Sequence, residues 1–209
     1  MKLKLALFLA LLLWQCSLSK AATVYSALTA SQHWVVGSAV WWDDAQIVGG
    51  GTLSRFRFYG QQNIVGSRSY TTSIEFHLFD GATGLPNGPS LGRIQVSSST
   101  PMPHGEVKLI ESVDLRPLNI RLPPNSKLGV AFHQEHNIEV VLFGNPSIGA
   151  SGSNLWIGSP PVARQVLGVR NNIGFEIEVV PEPHSWALVV AAVAGLAMPI
   201  RLSSRLLPR

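Results

Sequence analysis

Several short stretches carry residue types that could do chemistry. His133-Gln134-Glu135-His136 has the composition of a zinc-protease motif, where two histidines four apart share one helical face and the Glu acts as base. Here the spacing is three, and the stretch leaves a strand-like run that begins near Lys127. Histidines at an odd offset on a strand point to opposite faces, so a solvated polar turn is expected instead. Asp43-Asp44 and Asp80-Gly81-Ala82-Thr83-Gly84, both read as loops, offer oxygen ligands for a structural calcium ion, the one cofactor the sequence suggests. Neither stretch has alternating acids, and Asp with Gly also makes good turns, so both readings stay open. Trp34, Trp41, Trp42 and Trp156 could stack against a sugar, because aromatic rings give broad rigid faces. Core or edge packing is the competing reading, and adjacent strand residues such as Trp41 and Trp42 cannot both face inward.

The remaining stretches argue against catalysis. Gly149-Ala150-Ser151-Gly152-Ser153 is a Gly/Ser loop without the Gly-x-Ser-x-Gly elbow of a serine nucleophile. Glu176 and Glu178 sit two apart, opposite the apolar parity of their run, and read as a wet strand face and not as a glycosidase pair. His33, His77 and His104 are isolated and could meet only through the fold. No enzyme activity is expected; histidines clustered with acids in one cleft would revive a hydrolase.

These residues lie among alternating runs. Phe56, Phe58 and Gly60 alternate with Arg55, Arg57 and Tyr59. Ile74, Phe76 and Leu78 alternate with Glu75, His77 and Phe79, and Leu128, Val130 and Phe132 share one parity. Ile173, Phe175, Ile177 and Val179 do the same. A period of two with β-branched and aromatic residues predicts half-buried strands. Further strands are expected near 24–29, 34–42, 91–97, 106–113 and 138–143. Turn formers separate them, including Gly49-Gly50-Gly51, Asp80-Gly81, Asn87-Gly88-Pro89, Pro123-Pro124-Asn125 and Gly144-Asn145-Pro146. The pattern predicts a mainly β, antiparallel β-sandwich of jelly-roll or similar type over residues 22–179.

The two ends have a different character. Met1-Lys2-Leu3-Lys4, an apolar run from Leu5 to Trp14 and small residues before a cut between Ala21 and Ala22 predict a secretory signal peptide over 1–21, read by the Sec export machinery. At the other end, Val180-Pro181-Glu182-Pro183-His184-Ser185 leads into an uncharged run from Trp186 to Ile200, followed by Arg201, Arg205 and Arg209. A single transmembrane helix in membrane lipid is expected over about 186–200, carried by Trp186, Ala187, Leu188, Val189, Val190, Leu196 and Ile200. The arginines would stay on the cytoplasmic side. At about 1.5 Å per residue such a helix spans roughly 22 Å, short of a hydrocarbon core of about 30 Å.

Pro-Glu-Pro, a polar step, an apolar helix and a basic end together resemble the PEP-CTERM sorting signal, with Pro181, Glu182 and Pro183 matching its tripeptide. The resemblance covers residues 180–209 only. It implies recognition by an exosortase, a membrane-embedded processing enzyme, and removal or transfer of the tail near the tripeptide. It further implies an inner-membrane-anchored intermediate, delivery to the cell surface or extracellular matrix, and a link to exopolysaccharide and biofilm. One departure is that the arginines are spread out instead of clustered after the helix. The physical logic is that two prolines keep the segment extended and remove two backbone donors. The expected role is structural or adhesive. The alternatives are a carbohydrate-binding module, with extracellular polysaccharide as partner, and an unprocessed tail-anchored protein.

Composition narrows the classes further. The chain has 209 residues, is 46% hydrophobic and only 13% charged, and has a formal net charge of +4. The excess of basic residues belongs to the two ends, and between Ala22 and Val179 acids and bases nearly cancel. No nucleic-acid partner is expected. The single cysteine, Cys16, lies in the signal region, which excludes thiol catalysis and cysteine-held zinc in the remaining chain.

Overall fold

The computed structural model describes residues 20–28, 34–36, 40–62, 68–136, 138–143, 146–152, 155–158, 162–164 and 172–182. Residues Lys20–Pro181 form one compact unit. It is a mainly β, two-sheet fold with one sheet forming a half-barrel. The larger sheet contains β1 (Ala22–Ser26), β14 (Phe175–Val180), β4 (Gly51–Gln62), β10 (Ile138–Phe143) and β13 (Asn172–Ile173), in that order. β2 (Trp34–Val36) adds to β10, while β7 (Val107–Glu111) and β8 (Arg121–Leu122) add to β4. The smaller sheet runs β12 (Val162–Arg164), β11 (Leu155–Ile157), β3 (Val40–Gln46), β9 (Lys127–His136), β5 (Arg68–Leu78) and β6 (Ser90–Met102). Every pairing is antiparallel.

The alternating residues build the core between the sheets. Phe56, Phe58, Ile74, Phe76, Leu128, Val130, Phe132, Ile173, Phe175, Ile177 and Val179 are all fully buried. Phe56 touches Phe58, Phe76, Phe132 and Phe175, so one ring joins β4 and β14 of one sheet to β5 and β9 of the other. A bulge explains how Leu53 joins them despite its odd offset from Phe56. Glu178 pairs with Arg55 but Val179 pairs with Leu53, which leaves Ser54 over and switches the parity of β4.

Four expectations need correction. The strand order is not that of a jelly roll: β4 alone pairs with β14, β10, β7 and β8. The stretch 133–136 is no turn, because β9 continues to His136 and pairs with β5 as far as Thr71. Asp43 and Asp44 are central in β3, not in a loop. The transmembrane helix is also withdrawn. No helix among the described residues is long and apolar enough to cross a membrane, and the helical turn they contain is Arg116–Leu118. The segment 186–200 lies outside the described residues, and its uncharged length was already short for a bilayer.

Gly129 shows how closely the loop after β5 approaches β9. A Cβ there would overlap the carbonyl of Pro86, which is backbone and cannot swing aside. Gly129→Ala is expected to lower stability by about 2 kcal/mol, the scale of overpacking. Chemical denaturation would read this as a lower midpoint with an unchanged slope.

Candidate functional site

Three polar clusters stand out among the described residues. The first lies on the face of the smaller sheet turned away from the core. Glu75 and His77 are two apart on β5, and the register of β5 with β9 brings His133 to the same carboxylate. Glu75 Oε2 lies 3.3 Å from His77 Nε2 and 3.4 Å from His133 Nε2, while Arg93 Nη1 on β6 is 3.2 Å from Oε1. His77 Nδ1 is 2.8 Å from the Gly88 carbonyl, which sets this nitrogen as the donor. Burial pushes the Glu75 carboxyl up. The hydrogen bond from His77 and the charges of His133, Arg93 and His77 outweigh it, so the group ends below its ordinary value. Beside this cluster Trp42, Ala131 and Trp156 form a small apolar patch covered by Val40, Phe79 and Leu85.

The second cluster is buried in and around β3. Asp43 and Asp44 have no exposed surface. Asp43 Oδ2 accepts the Ile173 amide of the other sheet at 2.6 Å, and its Oδ1 accepts the Asp44 amide at 2.8 Å. Burial, then the charge of Asp44, hold the Asp43 carboxyl well above its ordinary value, against the two backbone hydrogen bonds. Asp44 accepts the Ser151 hydroxyl at 2.8 Å and the Gly152 amide, and Lys127 Nζ lies 3.0 Å from its Oδ2. Burial, followed by the charges of Asp43 and Asp44, also raises the Tyr25 hydroxyl. The network ties β3 to the 149–152 loop and to β13. Its carboxylate oxygens already have donors, as does Asp80, which accepts the Ala82 amide and the Thr83 hydroxyl as a turn residue does. No group of three or more His, Cys, Asp and Glu among the described residues is placed to hold a metal ion.

The third cluster is the charged ladder of the larger sheet. Arg57 bonds Glu176 and lies 3.0 Å from Glu178, and Arg55 bridges Glu178 at 3.0 Å and Glu111 at 3.1 Å. The Ser26 hydroxyl donates to Glu176 at 3.0 Å. Both carboxylates are therefore neutralised by cations on β4, an arrangement that locks strands together.

The tryptophans split as strand parity requires. Trp41 packs into the main core, and Trp42 with Trp156 lies under the loop that carries Phe79 and Leu85. All three are buried, so none of them offers a free stacking face. Trp34 lies in β2, with its side chain outside the described residues. At the ends, Ala22 opens β1, Ala21 precedes it, and Pro181 and Glu182 follow directly on β14. Pro183, Trp186, Ala187, Leu188, Val189, Val190, Leu196, Ile200, Arg201, Arg205 and Arg209 lie outside the described residues.

The meeting of His77 and His133 over Glu75 was missed in the sequence. The Glu75–His77 pair was legible as two residues on one strand face, but His133 arrives only through non-local register.

No family model matches the chain. No curated protein matches it, and no solved structure matches it. The likeness to the PEP-CTERM signal therefore rests on Pro181, Glu182, Pro183 and their setting alone. The inner-membrane-anchored intermediate is withdrawn with the helix that was to hold it, since no described helix can serve as that anchor.

Proposed function

We propose that the chain is an exported cell-surface or extracellular-matrix protein with a structural or adhesive role, sorted through Pro181-Glu182-Pro183 by an exosortase-type enzyme. One observation carries this reading. The first and last strands of the compact unit are neighbours, with Ala22 opposite Val179. The expected signal cut falls at the start of β1, and the tripeptide begins one residue after the end of β14. Every buried residue of the described core lies between Val24 and Val179. Cuts at both places would leave the core, its ladders and its three polar clusters whole. Pro181 directly after β14 has no amide hydrogen with which to continue the ladder, which suits a processing site at this point.

The test is intact-mass analysis of the exported protein from cells that contain an exosortase. The expected species begins at Ala22 and ends near the tripeptide. Glu182→Ala is expected to leave most of the chain unprocessed. A mature species that retains Arg209, or processing unchanged in Glu182→Ala, overturns the sorting reading.

A further inference from the structure

The sheet edges of this molecule are treated unequally. β1, at one edge of the larger sheet, is closed by main chain: the Ser26 amide bonds the Ile148 carbonyl at 3.0 Å, the Ser147 amide bonds the Ser26 carbonyl at 2.7 Å, and the Val48 amide bonds the Val24 carbonyl at 2.9 Å. β12, at one edge of the smaller sheet, has only three residues. β6, at the opposite edge, has thirteen, and among the described residues no strand pairs with it on the side away from β5. An edge strand of this length presents a row of backbone donors and acceptors that template another strand. Natural edges are usually protected by several charges, by a central proline or by shortness. In β6 the charged residue is Arg93, paired with Glu75, and the bulges at Leu91 and between Ser98 and Met102, with Pro101, lie towards its two ends, which leaves Gly92 to Ser98 as a regular stretch.

We propose that β6 pairs antiparallel with β6 of a second copy, about a two-fold axis normal to the sheet at Gln95, joining two six-stranded sheets into one. The stretch of β6 that pairs regularly with β5, Gly92 to Ser98, is centred on Gln95, so a two-fold there lets the whole of it meet the same stretch of a second copy with inward residues facing inward ones. Ile94 and Val96 face the core, and Arg93, Gln95 and Ser97 face out and are exposed. A two-fold at Gln95 sets Ile94 opposite Val96 of the second copy on the core side. On the outer side it sets Arg93 opposite Ser97 and Gln95 opposite Gln95. Each apolar residue meets an apolar one, and no like charges meet. An isologous contact of this kind closes on itself as a dimer. The proposal stands apart from the sorting reading, since β6 and the tail share no residue.

The test uses the full chain with Cys16→Ser as background, measured by analytical ultracentrifugation over a wide concentration series. A concentration-dependent dimer is expected. Gln95→Lys places two like charges face to face across the axis and is expected to raise the dimer Kd roughly fivefold, with the thermal melt of the exposed site unchanged. Gln95→Cys is expected to form an inter-chain disulfide on mild oxidation. Ser97→Cys, which faces Arg93 in this register, is expected not to. A chain that stays monomeric overturns the proposal. So does a dimer indifferent to Gln95→Lys, or one that cross-links through residue 97 in preference to residue 95.

Discussion

Phe56→Ala is expected to cost about 4 kcal/mol, the largest loss of any single core truncation in this fold. The ring has no exposed surface and sits between the sheets. Its neighbours Phe58, Phe76, Phe132 and Phe175 have centroids 6.1, 5.5, 5.9 and 5.6 Å away. They come from β4, β5, β9 and β14, so truncation opens a cavity walled by rigid rings on separate strands. Such walls collapse poorly, which puts the cost in the upper part of the range for Phe to Ala. For a domain of this size the melting temperature should fall by roughly 12 °C. Leu118→Ala, in the exposed helical turn, is the control and should stay within about 0.5 kcal/mol of wild type. Urea titration of both variants checks this. A Phe56→Ala protein as stable as Leu118→Ala would mean that the two sheets are not joined through this ring.

Asp43→Ala is expected to cost about 3 kcal/mol in mild acid, and less as the pH rises. Two backbone donors, the amides of Ile173 and Asp44, lose their acceptor, and buried donors left alone are costly. The pH dependence follows from the direction of the Asp43 shift. Its folded pKa is raised above the unfolded value, so between the two the unfolded chain has released a proton that the folded chain still holds. The stability this group contributes is therefore full below the unfolded pKa and is lost as pH rises through the folded one. The gap between wild type and Asp43→Ala should be widest in acid and narrow towards alkali. Glu75 works in the opposite sense. Its pKa is lowered, so its contribution is present above the unfolded value and lost as pH falls through the folded value. Denaturation series for wild type, Asp43→Ala and Glu75→Gln across pH separate the two slopes. A gap for Asp43→Ala that widens with pH would contradict the assignment.

The alternating runs were legible because burial in a two-layer fold imposes a period of two on local sequence. Phe56 with Phe58, Ile74 with Phe76, and Phe175 with Ile177 each declared their inward face without any knowledge of partners. The order of the strands was not legible, since β4 takes partners from far along the chain, as Arg57 with Glu178 and Thr52 with Val180 show. The bulge at Ser54 was hidden for the same reason: it exists only relative to β14. Asp43-Asp44 was read as a loop because carboxylates rarely sit in a strand interior without partners. Their partners are the Ile173 and Gly152 amides and Lys127, all remote in sequence. Likewise Glu75 and His77 could be paired on paper, but His133 could not be added without the register of β9. Trp42 was harder still, because what covers it is a loop after β5.

The adjacency of β1 and β14 has a mechanical consequence. Ladder hydrogen bonds run perpendicular to antiparallel strands. Ala22 and Val179 stand opposite each other, so a force separating the two chain ends opens the β1–β14 pair one bond at a time, like a zip. A force applied at Pro181 alone, against a load held elsewhere on the sheets, runs along β14 instead. β14 is flanked on both sides, by β1 and by six residues of β4. That pull must slide β14 past both neighbours and break the flanking bonds together. A chain held by its tail would then resist drag with its strongest geometry, whereas a chain tethered by both ends would yield at its weakest seam.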